Sequence, residues 1–350
     1  MNFSGSYAPE DVTFLLKPVD LAATDVAAKE RAIQSGTRHY SEMIAPEHVP
    51  DPAYLALYDA ALTRNGARLA QDIASLAAHL AARRGHVVIA SLARAGTPVG
   101  VLLLRALKAM GVDAHHYAIS IIRDRGIDAV ALAHIADRHD PADIVFVDGW
   151  TGKGAIATEL RRSVPGATLA VVADPAGVAD IAATDDDYLI ASGLLNGIVS
   201  GLVSRSILST ETVGPGDFHA CVTYPQHASQ DRSRAFVDTL TPLVLAAQPQ
   251  HIAGHAARTP ALAASREALV ADMLALVGST DRNRIKPGIA EATRALLRRV
   301  PDRVLVRDRA DPDVAHLLHL ADTAAVPVGT LPPDCRYRAV AIIASLGRDQ

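Results

Sequence analysis

The sequence predicts an α/β protein: a doubly wound parallel sheet followed by a small α/β module at the C-terminal end. Three observations predict it. Apolar runs of strand length alternate with helical stretches through the middle of the chain, the order that βαβ units require. Two of those runs empty into short glycine-bearing loops that lead straight into helices. Beyond residue 278 the composition shifts, with Arg282, Arg284, Lys286, Arg294, Arg298, Arg299, Arg303, Arg307 and Arg309 set against Asp281, Glu291, Asp302 and Asp308. At 350 residues the chain has room for two domains, and the shift places them at 1–277 and 278–350.

The elements follow in order. Residues 3–18 read as a loop-like opening, and 52–84 as a long helix that covers the sheet. Residues 86–91 form the first strand, 97–110 a helix that Gly111 ends, 113–122 a strand and 127–138 a helix. Residues 143–147 and 168–173 are continuous apolar runs, as strands buried on both faces require, and 155–163 is the helix between them. After residues 260–276 the pattern changes. The C-terminal module reads as helix 285–300, strand 303–306, helix 311–321 and strand 338–344.

Composition removes several function classes. A formal charge of −4 excludes a strongly basic nucleic-acid coat, and 49% hydrophobic residues exclude a disordered chain. Cys221 and Cys335 are the two cysteines, too few for a disulfide framework or a cysteine-rich zinc site, and they point to a reducing compartment. Glu10 and Asp11 follow Met1 closely, unlike a secretory signal, so a cytoplasmic location is expected. The apolar stretch 189–208 is interrupted by Ser192, Asn196, Ser200, Ser204 and Arg205, so no membrane partner is expected. Its Gly193, Gly197 and Gly201 recur every fourth residue, a spacing that suits close helix packing.

Three segments carry chemistry. The run from Ile144 to Val147 leads into Asp148-Gly149-Trp150-Thr151-Gly152-Lys153-Gly154-Ala155, a strand-to-helix junction whose amides suit a phosphate. It is neither a Walker A loop, since Gly154 follows Lys153, nor a G-x-G-x-x-G fingerprint. An ordinary tight turn is the plain alternative. Ser91-Leu92-Ala93-Arg94-Ala95-Gly96-Thr97-Pro98 is a second such junction, with Arg94 as its cation. Arg123-Asp124-Arg125 follows a strand and reads either as a salt-bridged loop or as a clamp on an anion. The histidines show no metal-ligand spacing. His115 and His116 point to opposite faces of a strand, and no metal site built from protein side chains alone is expected.

Together with Phe3-Ser4-Gly5-Ser6-Tyr7, Asp11 to Pro18, His116 to Asp128, Ser200 to Arg205 and Gly216-Asp217-Phe218-His219, these segments resemble the StiP-type phosphoribosyltransferase-like proteins of tellurite-resistance and stress-response gene clusters. The C-terminal segment resembles the Pelota-like RNA-binding module, related to the L7Ae-type fold. The resemblance implies a phosphoribosyltransferase-like, Rossmann-like sheet and an enzyme of the glycosyltransferase class that transfers or removes a ribosyl group at C1. Asp148, Arg94, Arg123 and Arg125 would be catalytic. Ala95, Gly96, Thr97, Gly149, Thr151, Gly152, Lys153, Gly154 and Ala155 would bind substrate, and Mg²⁺ would arrive with a diphosphate and meet Asp148. RNA would be bound by Lys286, Gly288, Glu291, Arg294 and Arg298. Gly149 stands where many such transferases keep a second acid, and Ala290 where the L7Ae pattern has Asn. The expected partners are a ribosyl phosphate or nucleotide-like small molecule and RNA, with homo-oligomerisation left open. A nucleotide-sensing RNA-binding regulator is the alternative. A cysteine protease, as some of the family are labelled, is the least expected reading, because Cys221 has only His219 beside it in sequence.

Overall fold

The computed structural model describes residues 3–47, 49–83 and 85–345. Short strands β1 (Thr13–Phe14) and β2 (Lys17–Pro18) open the chain. They are followed by α1 (Val26–Gln34) and the long α2 (Pro52–Ala81). Asp51 starts α2 by accepting the Tyr54 amide at 2.7 Å, and Pro52 occupies the first turn, where its missing N–H costs nothing. The predicted end of this helix, Arg84, lies outside the described residues.

Next come β3 (His86–Leu92), α3 (Gly96–Ala109), β4 (Asp113–Ile119) and the small hairpin β5 (Ile121–Ile122) and β6 (Gly126–Ile127). Helix α4 (Ala129–Ala136), β7 (Ile144–Trp150), α5 (Ala155–Ser163), β8 (Leu169–Ala173) and β9 (Ile181–Thr184) complete the sheet. Its six strands run in the order β1-β4-β3-β7-β8-β9, and every pairing is parallel. Alternation along the strands buries both faces. Val87, Ile89, Val145, Val147, Ala170 and Val172 join the core under α2 and α3, whereas Val88, Ala90, Phe146, Leu169 and Val171 join the core under α4 and α5. The order reverses between β3 and β7, and in such sheets ligands sit outside the carboxyl ends at this switch point.

The chain continues through β10 (Ala220–Cys221), which pairs with β2, and the helices α6 (Ser233–Ala246) and α7 (His255–Leu276). A second sheet uses β11 (Ile285–Pro287), β12 (Pro301–Val306), β13 (Val328–Thr330) and β14 (Ala339–Ile343) in the order β11-β14-β12-β13. Helices α8 (Ile289–Arg298) and α9 (Ala315–Thr323) pack on one face, which is continuous with the core under α2, and α7 packs on the other.

The predicted α/β architecture is therefore present, with local differences. The predicted helix 285–300 is a strand followed by a helix, because Gly288 at φ +93° breaks the chain between them. The predicted strand 113–122 stops at Ile119, and the hairpin begins two residues later. Residues 189–208 form 3₁₀ turns at Ala191–Gly193 and Gly197–Val199, so the glycine spacing serves close turns and not a helix face. A Cβ on Gly197 would lie 2.9 Å from the Tyr224 ring. No helix among the described residues is long and apolar enough to cross a membrane.

Asp174, fully buried at the end of β8, ties the sheet to α7. It accepts the Thr151 hydroxyl at 2.6 Å, the Val178 and Ala179 amides at 3.0 Å each and the Arg258 guanidinium at 3.1 Å. Asp174→Ala leaves a buried cation and several donors unpaired, so urea denaturation is expected to show a loss of about 3–5 kcal/mol. A loss below about 1 kcal/mol would show that this carboxylate is not what holds Arg258 in place.

Candidate anion-binding cleft

A cleft opens where the carboxyl end of β7 meets the second sheet. β7 ends in Asp148, Gly149 and Trp150, the chain turns through Thr151 to Gly154, and α5 begins at Ala155. Gly154 adopts φ +90°, and a Cβ there would lie 2.9 Å from Val178, so the turn requires glycine. No side chain caps α5, which leaves its first amides and the positive end of its dipole to an anion. Gly152 approaches the second sheet so closely that a Cβ would meet Glu291 Cγ at 2.6 Å, and the Tyr337 hydroxyl donates to the Gly152 carbonyl at 2.9 Å.

The resulting cavity is about 300 Å³ and is lined by eight cationic side chains against two carboxylates. Lys29, Arg123, Lys153, Arg205, Lys286, Arg294, Arg298 and Arg299 oppose Asp148 and Glu291. Some of this charge is answered locally. Arg294 Nη1 reaches Glu291 at 2.7 Å, Arg299 Nη2 reaches Glu30 at 2.7 Å, and Arg205 donates to the Tyr40 and Met43 carbonyls. Arg294 lies 4.8 Å from the Trp150 ring centroid, and Arg123 and Arg205 lie 5.5 and 5.3 Å from that of Tyr40.

Arg123 is paired with Asp124 at 3.0 Å, and the lysines hold their protons less tightly than free lysine does. Burial, and then neighbouring cations, push Lys29 and Lys286 down to about 7 and Lys153 down to about 8. Burial also drives Arg298 well below its ordinary value. Asp148 moves the other way: burial raises it to about 6, against the pull of Arg294 and of the Gly149 amide, which donates to Oδ1 at 2.8 Å.

The cleft gathers Asp148, Thr151, Gly152, Lys153, Gly154, Ala155 and Arg123 from the predicted transferase site, with Lys286, Glu291, Arg294 and Arg298 from the predicted RNA site. Lys29, Arg205 and Arg299 were not expected there. The Thr151 hydroxyl is committed to Asp174, so this residue offers the cleft its backbone.

Other expected contacts are not made. Arg94 is buried and paired with Glu47 at 3.3 Å, and it donates to the Val203 carbonyl at 3.0 Å, so it does not border the cavity. Ala95, Gly96, Thr97 and Gly149 do not border it either. The β3 turn packs directly on β7, and a Cβ on Gly96 would fall 2.2 Å from the Val147 carbonyl. Arg125 turns to Glu42 at 3.0 Å beside a neighbouring pocket. Gly288 lies behind the cavity wall, where its amide donates to the Ala339 carbonyl at 2.8 Å.

Neither thiol lies in the cleft. Cys221 is fully buried in the core and burial pushes its thiol up to about 12, while Cys335 is half-buried and likewise raised. His219 Nδ1 is hydrogen-bonded to the Ser120 hydroxyl at 2.7 Å, and its amide donates to Asp128 Oδ2 at 2.6 Å.

Similarity to known proteins agrees with the two-part resemblance. Residues 5–241 match the family profile described as Tellurite-like stress resistance cysteine protease StiP, and residues 264–345 match the PELOTA RNA binding domain. A protein named Cysteine protease StiP from Acinetobacter baylyi is 44% identical over 365 residues, covering 99% of this chain and 95% of that protein. Among solved structures, a hypoxanthine phosphoribosyltransferase from Trypanosoma cruzi complexed with the product IMP overlaps 47% of this chain and 84% of its own at 14% identity. Its TM-score of 0.27 carries no argument. The expectation of ribosyl transfer at C1, with proteolysis ranked last, is overturned: the matching family and the relative are both named as cysteine proteases. The geometry also removes its main prop, since Arg94 is turned to Glu47 and away from the cavity that Asp148 borders. The chain belongs to the StiP family.

Proposed function

We propose that this StiP-family chain binds a phosphate-bearing ligand, a nucleotide or the phosphodiester backbone of single-stranded RNA, in the cleft between its two sheets. The observation that carries the reading is the excess of cationic over carboxylate side chains lining the cleft, with three lysines lowered to about 7 to 8. A bound polyanion relieves that crowding, and guanidinium groups match phosphate oxygens in planar pairs. The uncapped start of α5 adds amides, and the Trp150 and Tyr40 rings offer faces for a base. Helix α8 lies within the stretch that matches the PELOTA RNA binding domain, and it supplies Glu291, Arg294 and Arg298 to the same cavity. Mg²⁺ carried by the phosphates would meet Asp148. The two free thiols fit a cytoplasmic setting.

A second reading is proteolysis, favoured by the names of the family and of the Acinetobacter protein. Its nucleophile in this chain would be Cys221, with His219 nearest in sequence as base. A thiolate there requires Cys221 to leave the core, because burial now holds the thiol neutral.

Fluorescence anisotropy with a labelled single-stranded RNA, competed by a nucleoside triphosphate with and without Mg²⁺, tests the first reading. Lys286→Ala and Arg298→Ala should each weaken binding about tenfold, and affinity should fall steeply with added salt. Retention of neither probe by the full chain removes the proposal. Anion binding favours the charged lysines, whose free values are about 7 to 8, so it takes up protons. Affinity is therefore expected to fall as pH rises from about 6.5 to 8.5, and an unchanged affinity would contradict the role given to Lys29, Lys153 and Lys286.

For the second reading, Cys221→Ser should abolish casein cleavage by a chain whose melting curve is unchanged. Full retention would exclude Cys221 as nucleophile.

A further inference from the structure

At the amino ends of the strands of the main sheet, away from the cleft, three histidines from distant parts of the sequence meet. His86 is the first residue of β3, His115 the third of β4, and His139 follows α4. Their ligand nitrogens all lie within 4.8 Å of one another, and their ring centroids are 4.6 to 5.5 Å apart. The sheet register causes this. In the parallel β3–β4 pair His86 faces Asp113 and Val88 faces His115, so period-two alternation puts His86, Asp113 and His115 on one face. His116 points the other way, to the Ser91 hydroxyl and the Asp11 carbonyl at 2.8 Å each.

We propose that His86, His115 and His139 bind a divalent transition-metal ion of the zinc class, with Asp113 as fourth donor. Asp113 Oδ1 lies 3.4 Å from His115 Nε2, and Oδ2 lies 3.8 Å from His86 Nε2. Ligand atoms about 2.0–2.1 Å from a tetrahedral ion are about 3.3 Å from one another, so the pair needs little adjustment.

The outer contacts fix the rings as ligands require. Asp143 Oδ2 accepts from His86 Nδ1 at 2.9 Å, which leaves the lone pair on Nε2. His139 Nε2 is hydrogen-bonded to the Tyr117 hydroxyl at 2.9 Å, and when it donates there Nδ1 carries the lone pair. His115 is exposed while the other two are half-buried, which gives an ion a way in. Three imidazoles with one carboxylate suit zinc over calcium or magnesium, which prefer oxygen donors.

Titration calorimetry of the full chain with zinc chloride, paired with thermal melting, tests the site. One ion per chain and a raised melting temperature are expected. His115→Ala, at an exposed position, and His139→Ala should each weaken binding about 100-fold. Asp113→Asn should weaken it about tenfold, because water can take the fourth position. His134→Ala and Cys335→Ser should leave it unchanged. Absence of zinc heat and of a melting shift in the wild type overturns the proposal. So does zinc binding that survives in His115→Ala and His139→Ala, or that is lost in Cys335→Ser.

Discussion

A lysine ammonium enclosed among guanidinium groups loses hydration and gains repulsion, and both favour the neutral amine. The cleft between the two sheets contains three such lysines, and its surroundings limit what that arrangement costs. Glu30 is paired with Arg299, Glu47 with Arg94, and Glu291 with Arg294. Arg205 is held by main-chain carbonyls, the Tyr40 ring lies beside Arg123 and Arg205, and the Trp150 ring lies beside Arg294. These contacts fix the cations without cancelling them all. A bound polyanion would relieve the repulsion that remains among them.

Keeping that crowd together depends on carboxylates that lie outside it. Asp187 accepts the Ile289 amide at 3.0 Å and the Arg338 amide at 2.8 Å, which fastens the start of α8 and the approach to β14 to the main sheet. Burial raises Asp187 to about 6, against the pull of the Arg338 and Ile289 amides. Asp186 holds Arg68 and Arg338, and Asp313 holds Arg64, Asn65 and the Leu189 amide. With these ties in place, Lys286, Arg294 and Arg298 face the β7 loop across the cavity. Loss of the ties would separate the cationic faces and dilute the field that an anion meets.

Much of this was legible along the chain because the signals are local. Apolar runs such as 143–147 and 168–173 mark buried strands, and the turn from Asp148 to Ala155 shows its glycines and its lysine in one place. The arginines of α8 were equally visible as one helix face. Lys29, Arg205 and Arg299 were not, because nothing in their own neighbourhoods shows that α1 and the loop after the 3₁₀ turns fold over the end of β7. Arg94 failed for the converse reason. Its sequence context suggests an anion partner, but Glu47, 47 residues upstream, takes the charge. The histidine cluster has the same origin: periodicity separates His115 from His116 correctly, yet only strand register and the return of the chain after α4 bring His86 and His139 to His115.

The two ends of the strands thereby acquire opposite characters. β3, β4 and β7 carry histidines and carboxylates at or just before their starts, and β7 delivers an aspartate, a tryptophan and a lysine-bearing turn at its end. A seven-residue strand spans about 20 Å, so a metal ion at one end cannot touch an anion at the other. A cation held among His86, His115 and His139 would act on the scaffold, by pinning the starts of β3 and β4 and the segment leading into β7. The register that carries Asp148 and Trp150 into the cleft is set by those same pairings, with Val88 opposite Ile144 and Phe146 opposite Ala90. Coupling between the ends would therefore pass through backbone pairing, and its size would be limited by how far the unpinned strand starts fray.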